Sequence, residues 1–358
     1  MSEKIKLGEL GKIVSGSTPK TNIKEYWDGE ILWITPAEIK ENDYYIADTQ
    51  RKITNLAVEK TNLKLLPKGT VLLSSRAPIG KVAICDNDMY CNQGFKNIIC
   101  SDKLENRYVY YFLKHNDEYI KSLGRGATFK EISKGIVENL EIPYREKKEQ
   151  VEIANKLDII TDILKIRKQQ IKQLDEIIKS QFVEMFENKN YPKVCGKELF
   201  IFASGKFLDQ TMRREKGIPV YGGNGIAWYT DKALIDFDTI VIGRVGAYCG
   251  NVKIIEEPVW ITDNAIYIKA FKKDVYDIKF LYNMMNNIDF SRFAQHSGQP
   301  KITQKPLEEY SYIVPPIEEQ KKFAEFVKQV DKQKFEIENS LKEMQELYEA
   351  LMNEYFGE

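Results

Sequence analysis

Short motifs that would carry catalysis are missing from this 358-residue sequence. Its nearest approach to the phosphate-binding loop GxxxxGK[ST] is the shorter "GELGKI" that begins at Gly8. Its nearest approach to the [DN]PP[YF] motif of amino-methyltransferases is "VPPI", where Val314 stands in place of Asp or Asn. No Pro-Asp dipeptide begins a nuclease pattern, and the two histidines, His115 and His296, belong to no spaced cluster of carboxylates or cysteines. Phosphate transfer, N-methylation, DNA cleavage and metal catalysis are therefore all unsupported.

Composition allows two domains or a duplicated unit, because the chain is too long for one ordinary core and is 43% hydrophobic. Basic and acidic residues balance at 53 each. The start, "MSEKIKLGEL", has no apolar leader, and no run reaches the ~18 apolar residues of a membrane span. The five cysteines form no CxxC pair, which favours buried or incidental reduced thiols in a cytoplasmic protein over a zinc site: Cys85, Cys91, Cys100, Cys195 and Cys249.

An internal repeat organises the chain. "IPYREKKEQVEIANKL", from Ile142, and "VPPIEEQKKFAEFV", from Val314, each place an aliphatic residue before proline, then charges, then the glutamine Gln150 or Gln320 at the start of an apolar-periodic segment. Upstream, "GTVLLSSRAPIGKVAI" matches "DTIVIGRVGAYCGNVKII", with Gly80 opposite Gly250. The sequence therefore predicts a duplicated globular part, each copy followed by a long helix.

The globular parts read as mixed α and β. "TVLLSS", "KVAICD", "FKNIIC", "TIVIGRV", "NVKIIE" and "AIYIKA" predict short strands, and the amphipathic runs from Asn106 and from Val275 predict one helix in each copy. "SGSTPKTNIKEYWDG" and "YGGNGIAWYTDKA" are predicted to be loop-rich, and such stretches differ most between the copies. A common scaffold with divergent loops suggests one kind of reader carrying two different surfaces.

Both long helices carry an apolar residue at alternating steps of four and three, which predicts an antiparallel coiled-coil pair rather than unrelated packing helices. Arg167 and Gln181 interrupt the first seam and Lys334 the second, while Ile163, Ile166, Ile177, Phe182 and Phe186 widen the first apolar face beyond a two-helix seam. The predicted seam residues are Ile153, Leu157, Ile160, Leu164, Ile171, Leu174, Ile178 and Met185 in the first helix, and Phe323, Val327, Val330, Ile337, Leu341, Met344, Tyr348, Leu351 and Tyr355 in the second.

The chain resembles the specificity subunits of type I restriction–modification systems over essentially its whole length. The resemblance rests on the "GKIVSGSTPK" opening, the two P-x-x-E-Q-like helix starts, the half-repeats and the paired helices. The first helix start carries an insertion and a single proline, and the second copy offers "ASGKFLDQ" in place of "SGxTP". These departures obscure the alignment of the loops.

The resemblance implies an α+β fold with two pseudo-repeated mixed α/β target recognition domains separated by two long antiparallel coiled-coil helices. We expect the domains at 1–145 and 189–315 and the spacer helices at 146–188 and 316–358. Each domain would read one half of a split site in double-stranded DNA. The helices would set the distance between the halves and dock two modification subunits that use S-adenosylmethionine to methylate adenine. Restriction subunits would add ATP- and Mg-dependent translocation and cleavage, so the expectation for this chain is no catalysis, no cofactor and no metal.

Polar residues in the divergent loops are the candidates for contact with base edges or phosphates. Each of them could equally serve a turn or a solvated surface, as "SGSTP" and "NQG" illustrate. Arg76 and Arg244 are predicted to recur at matching sites, which would favour a shared scaffold or phosphate role over sequence reading. The candidates are Ser17, Thr18, Lys20, Arg76, Lys81, Asn92, Gln93, Arg125 and Lys130 in the first copy, and Lys206, Arg213, Arg214, Tyr221, Asn224, Arg244, His296, Gln299 and Lys301 in the second.

The charge of each region indicates that this chain shares the binding of DNA with partner subunits. Basic residues slightly outnumber acidic ones in 1–142 and 188–315, whereas acidic residues dominate 316–358. So small an excess is weak for a protein that binds DNA alone, because phosphate contacts dominate affinity. We therefore expect partner subunits to supply much of the electrostatic attraction. Two alternatives stay open: a coiled-coil scaffold that reads no DNA, and the specificity part of a fused methyltransferase–nuclease, which the lack of catalytic motifs disfavours.

Overall fold

A computed structural model describes residues 3–41, 43–126, 130–295 and 299–357. The chain divides into two compact units, 1–166 with 341–358, and 167–340. Each unit therefore combines one copy of the repeat with segments of both long helices.

The described residues of the first unit form ten short strands and five short α-helices before the first long helix begins. Its strands are β1 (Lys4–Lys6), β2 (Gly11–Ser15), β3 (Trp27–Ile34), β4 (Tyr45–Ile46), β5 (Arg51–Ile53), β6 (Val71–Ser75), β7 (Ile79–Cys85), β8 (Tyr90–Cys91), β9 (Lys96–Cys100) and β10 (Glu141–Pro143). Its helices are α1 (Leu7–Leu10), α2 (Asn55–Lys60), α3 (Asn106–His115), α4 (Asp117–Ser122) and α5 (Lys134–Glu138), and α6 (Lys147–Phe182) continues into the second unit.

Three sheets build the first unit. The largest has the order β2-β9-β6-β7-β4, a smaller one has the order β5-β3-β8, and β1 pairs with β10. Helix α3 lies against β7, and its apolar side covers the larger sheet. The β-branched and aliphatic residues of β6, β7 and β9 are buried because one face of this sheet meets α3 and the other meets the smaller sheet and its loops.

The second unit repeats this plan. Its strands are β11 (Lys193–Cys195), β12 (Phe200–Ser204), β13 (Ile218–Gly222), β14 (Gly225–Thr230), β15 (Thr239–Gly243), β16 (Val252–Ile255), β17 (Trp260–Ile261), β18 (Ala265–Phe271) and β19 (Ser311–Ile313). Its helices are α7 (Gly196–Leu199), α8 (Ile278–Asn286), α9 (Gln304–Glu309) and the start of α10 (Ile317–Phe356). A single turn of π-helix, Val183–Glu187, ends the first long helix.

Sheet order confirms the predicted duplication. The order β12-β18-β15-β16 in the second unit reproduces β2-β9-β6-β7 in the first, and β14-β13-β17 reproduces β5-β3-β8. Gly80 and Gly250, which the sequence paired, both adopt a positive φ, +96° and +92°. Only glycine adopts such a conformation without strain, so both copies need a glycine at this position.

Every residue of the predicted seam is buried or half-buried, as the packing of two helices along a seam requires. In the first unit the start of α6, at Ile153 and Leu157, shares a core with the end of α10, at Tyr355. In the second unit Phe182 of α6 packs edge-on against Phe323 of α10, with ring centroids 5.6 Å apart. There Lys334, the polar exception in the second seam, donates to Asp175 at 2.7 Å. Within each unit the two helical segments therefore run antiparallel.

The glutamine that opens each helix explains why the chain repeats its helix-start motif. Gln150 is fully buried, and its amide accepts from Glu105 N–H at 2.9 Å and donates to the carbonyls of Lys103 and Arg145 at 3.0 and 2.7 Å. This amide fastens the first turn of α6 to the loop that leads into α3, which a charged or shorter side chain cannot do with all three bonds satisfied.

Gln320 makes the same three bonds in the second unit. It accepts from Asp277 N–H at 3.1 Å and donates to the carbonyls of Val275 and Pro315, both at 2.8 Å. Each long helix is thus hydrogen-bonded to a loop of its own repeat: α6 to the loop before α3, and α10 to the loop before α8.

Two local predictions need correction. The helices predicted over 106–123 and 275–295 are shorter, because Asn116 and Asn287 each end a helix by donating a side-chain hydrogen bond to the carbonyl four residues earlier. The stretch from Tyr221, predicted as loop, is the hairpin of β13 and β14, in which Gly225 (φ +117°) follows a tight turn.

The described residues contain no helix long and apolar enough to cross a membrane. Within the same ranges no three His, Cys, Asp or Glu side chains are grouped so that they could hold a metal ion. All five cysteines are free thiols, and burial raises the pKa of Cys91 to about 12.

Candidate nucleic-acid interface

One end of the larger sheet in the first repeat gathers most of the predicted DNA-contacting residues. Strand β2 ends at Ser15, which pairs with Lys96 at the start of β9. Strand β6 ends at Ser75, whose N–H donates to Gly94 O at 2.7 Å. The loops that leave β2 and β6 and enter β9 therefore meet at this end, which we call the loop edge of the first repeat: residues 17–20, Arg76, Asn92, Gln93, Arg125 and Lys130.

A glycine brings the loop after β2 against the loop before β9. A Cβ on Gly16 would lie 2.1 Å from Asn92 O, so only glycine fits. Ser17 N–H then donates to Cys91 O at 3.0 Å. The side chains of Thr18 and Gln93, both exposed, form a hydrogen bond that joins the two loops. Asn92 is used locally, because its Oδ1 accepts from Gly94 N–H at 2.9 Å and holds a turn.

Aromatic residues of the smaller sheet support this loop. Trp33 Nε1 donates to Ser17 O at 3.2 Å, and Trp27 Nε1 donates to Lys20 O at 3.3 Å. The guanidinium of Arg51 lies 3.8 Å from the centre of the Trp27 ring. The indoles fix the backbone of residues 17–20 while Thr18 and Lys20 remain exposed, as a surface that presents side chains to a ligand requires.

An ion cluster holds the other half of the loop edge. Lys96, almost completely buried, donates to Glu131 at 2.9 Å and to Ser75 Oγ at 3.2 Å, and Glu131 also lies 3.9 Å from Arg76. Reciprocal backbone hydrogen bonds join Glu131 to Arg125 at 2.9 and 3.0 Å. The cluster compensates the buried ammonium and anchors a loop on which Arg125 and Lys130 are exposed.

The second repeat builds the same edge with other side chains. A Cβ on Gly205 would lie 2.1 Å from Thr262 O, and Lys206 N–H donates to Ile261 O at 2.8 Å, as Ser17 does in the first repeat. Trp260 Nε1 donates to Lys206 O at 2.9 Å. The structure therefore places "ASGKFLDQ" where the first repeat has "SGSTP", and a lysine takes the position of a serine.

Polar residues converge there from three further loops. Arg244 donates to Asp263 O at 3.3 Å and lies 3.5 Å from Ser204 Oγ. Reciprocal backbone bonds join Lys301 to Gln295, and a Cβ on Gly246 would lie 3.1 Å from Gln299 Nε2. These contacts bring the loops after β12 and β15 together with the loop that ends at Lys301.

The β13–β14 hairpin completes this edge. Its turn carries Asn224, and a Cβ on the preceding Gly223 would lie 3.4 Å from Asn264 O and 3.6 Å from Val245 O. Tyr221, half-buried on β13, accepts a backbone bond from Thr262 at 2.9 Å, and burial raises the pKa of its hydroxyl. The loop edge of the second repeat thus comprises Lys206, Tyr221, Asn224, Arg244, Gln299 and Lys301.

Three candidates lie elsewhere. The Lys81 ammonium donates to the carbonyls of Pro36 and Ile39 at 3.0 and 2.6 Å, which is a structural role. Arg214 pairs with Asp231 at 2.8 Å and bridges to Tyr229, at the end of β14 away from the Asn224 turn, and Arg213 precedes it. His296 lies outside the described residues.

The prediction that Arg76 and Arg244 occupy matching positions is wrong by one residue. Ser75 N–H donates to Gly94 O and Ser75 O accepts from Ile132, and Arg244 makes the equivalent bonds with Asn264 and Ile302. From this equivalent position to the glycine with positive φ, the second copy has one more residue (Arg244 to Gly250) than the first (Ser75 to Gly80), which sequence matching on arginine hid. Because neighbouring side chains on a strand point to opposite faces, the two arginines serve different surroundings and do not argue for a shared role.

Two exposed aromatic residues and one buried lysine were missed. Phe207, which follows Lys206, is 72% exposed, and Tyr248 is 47% exposed beside Gly243. An exposed aromatic at a site edge can stack on bases or contact a thymine methyl group. "GKF" in the sequence carried that signal for Phe207, whereas nothing local marked Lys96 as the centre of an ion cluster.

Comparisons with known proteins identify the family of this chain. The model of the type I restriction modification DNA specificity domain matches residues 2–176 and again residues 188–347. The type I restriction enzyme MjaIX specificity subunit of Methanocaldococcus jannaschii is 41% identical over 201 residues, which cover 54% of this chain and 46% of that relative. The EcoprrI specificity subunit of Escherichia coli is 25% identical over 89% of this chain and 84% of its own length.

A solved structure shares the fold. The S subunit of a type I restriction–modification system from M. genitalium superposes with a TM-score of 0.67 at 21% identity, covering all of this chain and 96% of its own. The family model matches both repeats and the great majority of the residues. The chain therefore belongs to the family of type I restriction–modification specificity subunits.

Proposed function

We propose that each repeat reads one half of a bipartite, asymmetric site in double-stranded DNA through its loop edge. The observation that supports the proposal is that the two repeats share one backbone arrangement at their loop edges but carry different side chains on it. Gly16 and Gly205 make the same close approach, yet Ser17 stands where the second repeat has Lys206. Two repeats that share one backbone arrangement but differ in the polar side chains of their loops suit two different half-sites.

Both loop edges also carry exposed cations suited to phosphates. Lys20, Arg125 and Lys130 are exposed in the first repeat and Lys301 in the second. The excess of positive charge in each repeat is small, so we infer that partner subunits close on the DNA and add phosphate contacts.

Chemistry belongs to the partners in this proposal. Two modification subunits would bind S-adenosylmethionine and methylate adenine, and restriction subunits would use ATP and Mg to translocate and cleave DNA. The chain itself, working in the cytoplasm, would need no cofactor or metal.

The proposed docking surface for the modification subunits is an exposed apolar stripe on α6. Within the first unit Ile159 and Ile166 are 60% and 54% exposed, and a spacing of seven residues puts both on one side of the helix. Phe182 and Phe186, which also widened this face in the sequence, pack instead into the core of the second unit. An apolar stripe on a polar helix is a typical site for a partner helix.

The long helices would set the distance between half-sites, with the domain boundaries proposed at 1–145, 146–188, 189–315 and 316–358. The continuous lengths of α6 and α10 support this, because a helix of 36 or 40 residues is a stiff spacer.

Side-chain variants of the two loop edges test the proposal. We expect Thr18→Ala with Gln93→Ala to relax or change one half of the methylated motif, and Gln299→Ala with Lys301→Ala to affect the other half. The readout is the methylated motif of DNA from cells that express each variant with its modification subunits. Arg213→Ala, away from the loop edge, is the matched control and should leave the motif unchanged.

Loss of one contact to a base costs about 1–3 kcal/mol, which corresponds to a loss of discrimination of about 5- to 150-fold at that position. A motif unchanged in both double variants would contradict reading by the loop edges. Methylation without any sequence preference in the unaltered complex would favour the scaffold alternative.

A further inference from the structure

The two repeats differ at one edge of their larger sheets. In the first repeat β4 lies outside β7 and runs parallel to it, with Tyr45 beside Ile84 and Ile46 beside Cys85. The amides of Ile84 and Asp86 donate to the carbonyls of Tyr44 and Ile46 at 2.8 and 2.9 Å. The edge of this sheet is therefore closed by a segment of the same chain.

Tyr44 also fills the space between the sheet, α3 and α6. Its hydroxyl donates to Asp158 Oδ1 at 2.6 Å, and Asp158 accepts from Tyr111 at 2.6 Å and from Arg107 at 2.7 Å. The Tyr44 ring lies edge-on to Tyr110, with centroids 4.5 Å apart. Burial and the bond to Asp158 raise the pKa of the Tyr44 hydroxyl, so it remains a donor.

The described residues of the second repeat include no counterpart of β4. Residues 16–70 connect β2 to β6 in the first repeat, whereas the shorter segment 205–238 connects β12 to β15 in the second. Strand β16, the counterpart of β7, is the last strand of its sheet.

Backbone geometry shows what this edge presents. Gly243 N–H donates to Asn251 O at 2.8 Å, and the antiparallel register continues through Val241 opposite Lys253. Hydrogen-bonded and non-hydrogen-bonded pairs alternate along such a ladder, so the amides of Ile254 and Glu256 point away from β15. These two positions are the counterparts of Ile84 and Asp86.

A cavity lies beside this free edge. Its volume is about 1070 Å³, and β16, α8 and the neighbouring segments of α6 and α10 line it, all within the second unit. Lys279, at the position of Arg107, pairs with Glu256 at 3.0 Å, and Asn283 stands at the position of Tyr111. The space that Tyr44 fills in the first repeat is open here, with Asp331 of α10 as a carboxylate on its wall.

We propose that an extended segment of a partner polypeptide completes the second repeat by pairing parallel to β16 and placing a tyrosine-like side chain in this cavity. Its carbonyls would accept from the amides of Ile254 and Glu256, as those of Tyr44 and Ile46 do in the first repeat. Recognition by main-chain bonds at a sheet edge, with one side chain in a pocket, is a known mode of peptide binding. We take this partner to be a modification subunit, so the inference rests on the proposed association with modification subunits.

Hydrogen exchange read by mass spectrometry tests the inference on the full chain. In the free chain we expect slow exchange of the amides of Ile84 and Asp86 and fast exchange of those of Ile254 and Glu256. On assembly with the modification subunits, the exchange of Ile254 and Glu256 should slow by at least tenfold. A different result would overturn the proposal. If the amides of Ile254 and Glu256 exchange slowly in the free chain, and more slowly still as the concentration of the chain rises, the edge pairs with a second copy of the chain.

Ile254→Pro provides the functional test, with Ile254→Val as the matched control. Proline removes an amide that makes no bond to β15, so the sheet should survive, as circular dichroism and the melting temperature would show. We expect the proline variant to bind the modification subunits about tenfold more weakly and the valine variant to bind normally. Normal assembly and methylation without slowed exchange would overturn this inference alone, whereas failure of the unaltered chain to assemble would overturn the proposed function.

Discussion

The buried glutamine at the start of each long helix offers a sharp test of how the repeats are held. Gln150→Ala would leave the amide of Glu105 and the carbonyls of Lys103 and Arg145 without their partner. Each hydrogen bond contributes about 0.5–1.5 kcal/mol net, and an unpaired buried group costs more. We therefore expect a loss of about 2–4 kcal/mol in the free energy of unfolding of the first unit.

The assay is thermal unfolding followed by calorimetry, because the two units need not unfold together. For a unit of this size the expected loss lowers the melting temperature by about 10 °C. Gln320→Ala should act equally on the second unit, whose core is separate, so the double variant should show both shifts independently.

Two controls decide whether hydrogen bonding is the cause. Gln169→Ala, on the exposed side of the same helix, should change stability by less than about 0.5 kcal/mol. Gln150→Glu keeps the size and the acceptor but loses both donors, and it should destabilise about as much as alanine. A stable Gln150→Ala variant with an unchanged melting temperature would refute the role assigned to this amide.

Three further predictions concern the helices and the filled edge of the first repeat. Leu174→Asp and Met344→Asp, both half-buried in the seam, should each lower stability by about 1–3 kcal/mol and weaken assembly with modification subunits; normal assembly in gel filtration would refute the seam. A heptad inserted after Leu174 and another after Met344 keeps the seam phase and adds about 10 Å of helix. The methylated motif should then gain up to about three base pairs of spacer, since duplex DNA rises roughly 3.4 Å per pair; an unchanged spacer at full activity would exclude a ruler role. Asp158→Asn removes the charge that Arg107 pairs with and should cost about 1–3 kcal/mol in urea unfolding, because Arg107 is only partly exposed; an unaltered midpoint would contradict the network around Tyr44.

The duplication and the long helices could be predicted because their signals are periodic. The seam residues repeat every three and four positions, and the helix starts at Gln150 and Gln320 have the same flanking residues. The spacing of hydrophobic residues and the position of proline are properties of the local sequence. A single sequence is therefore enough to predict the helices from them. The purpose of the glutamines was not predictable, because two of the three partners of each are backbone groups more than forty residues away.

The loop edges were only partly predictable for the same physical reason. Ser17, Gln93 and Lys206 were predicted by residue type and lie at the loop edges, whereas the structural bonds of Lys81 could not be foreseen because its carbonyl partners lie more than forty residues away. The one-residue shift between Arg76 and Arg244 follows from a difference in turn length that only the strand register reveals.

Exchange of a whole reader tests the central claim most directly. Residues 1–142 of this chain are replaced by the equivalent residues of a relative that reads a different site, and the methylated motif is sequenced in cells that carry the modification subunits. The account predicts that one half of the motif changes to that of the donor while the other half and the spacer stay the same. A chimaera that assembles and methylates DNA but changes both halves, or neither, would contradict two independent readers on one duplicated frame.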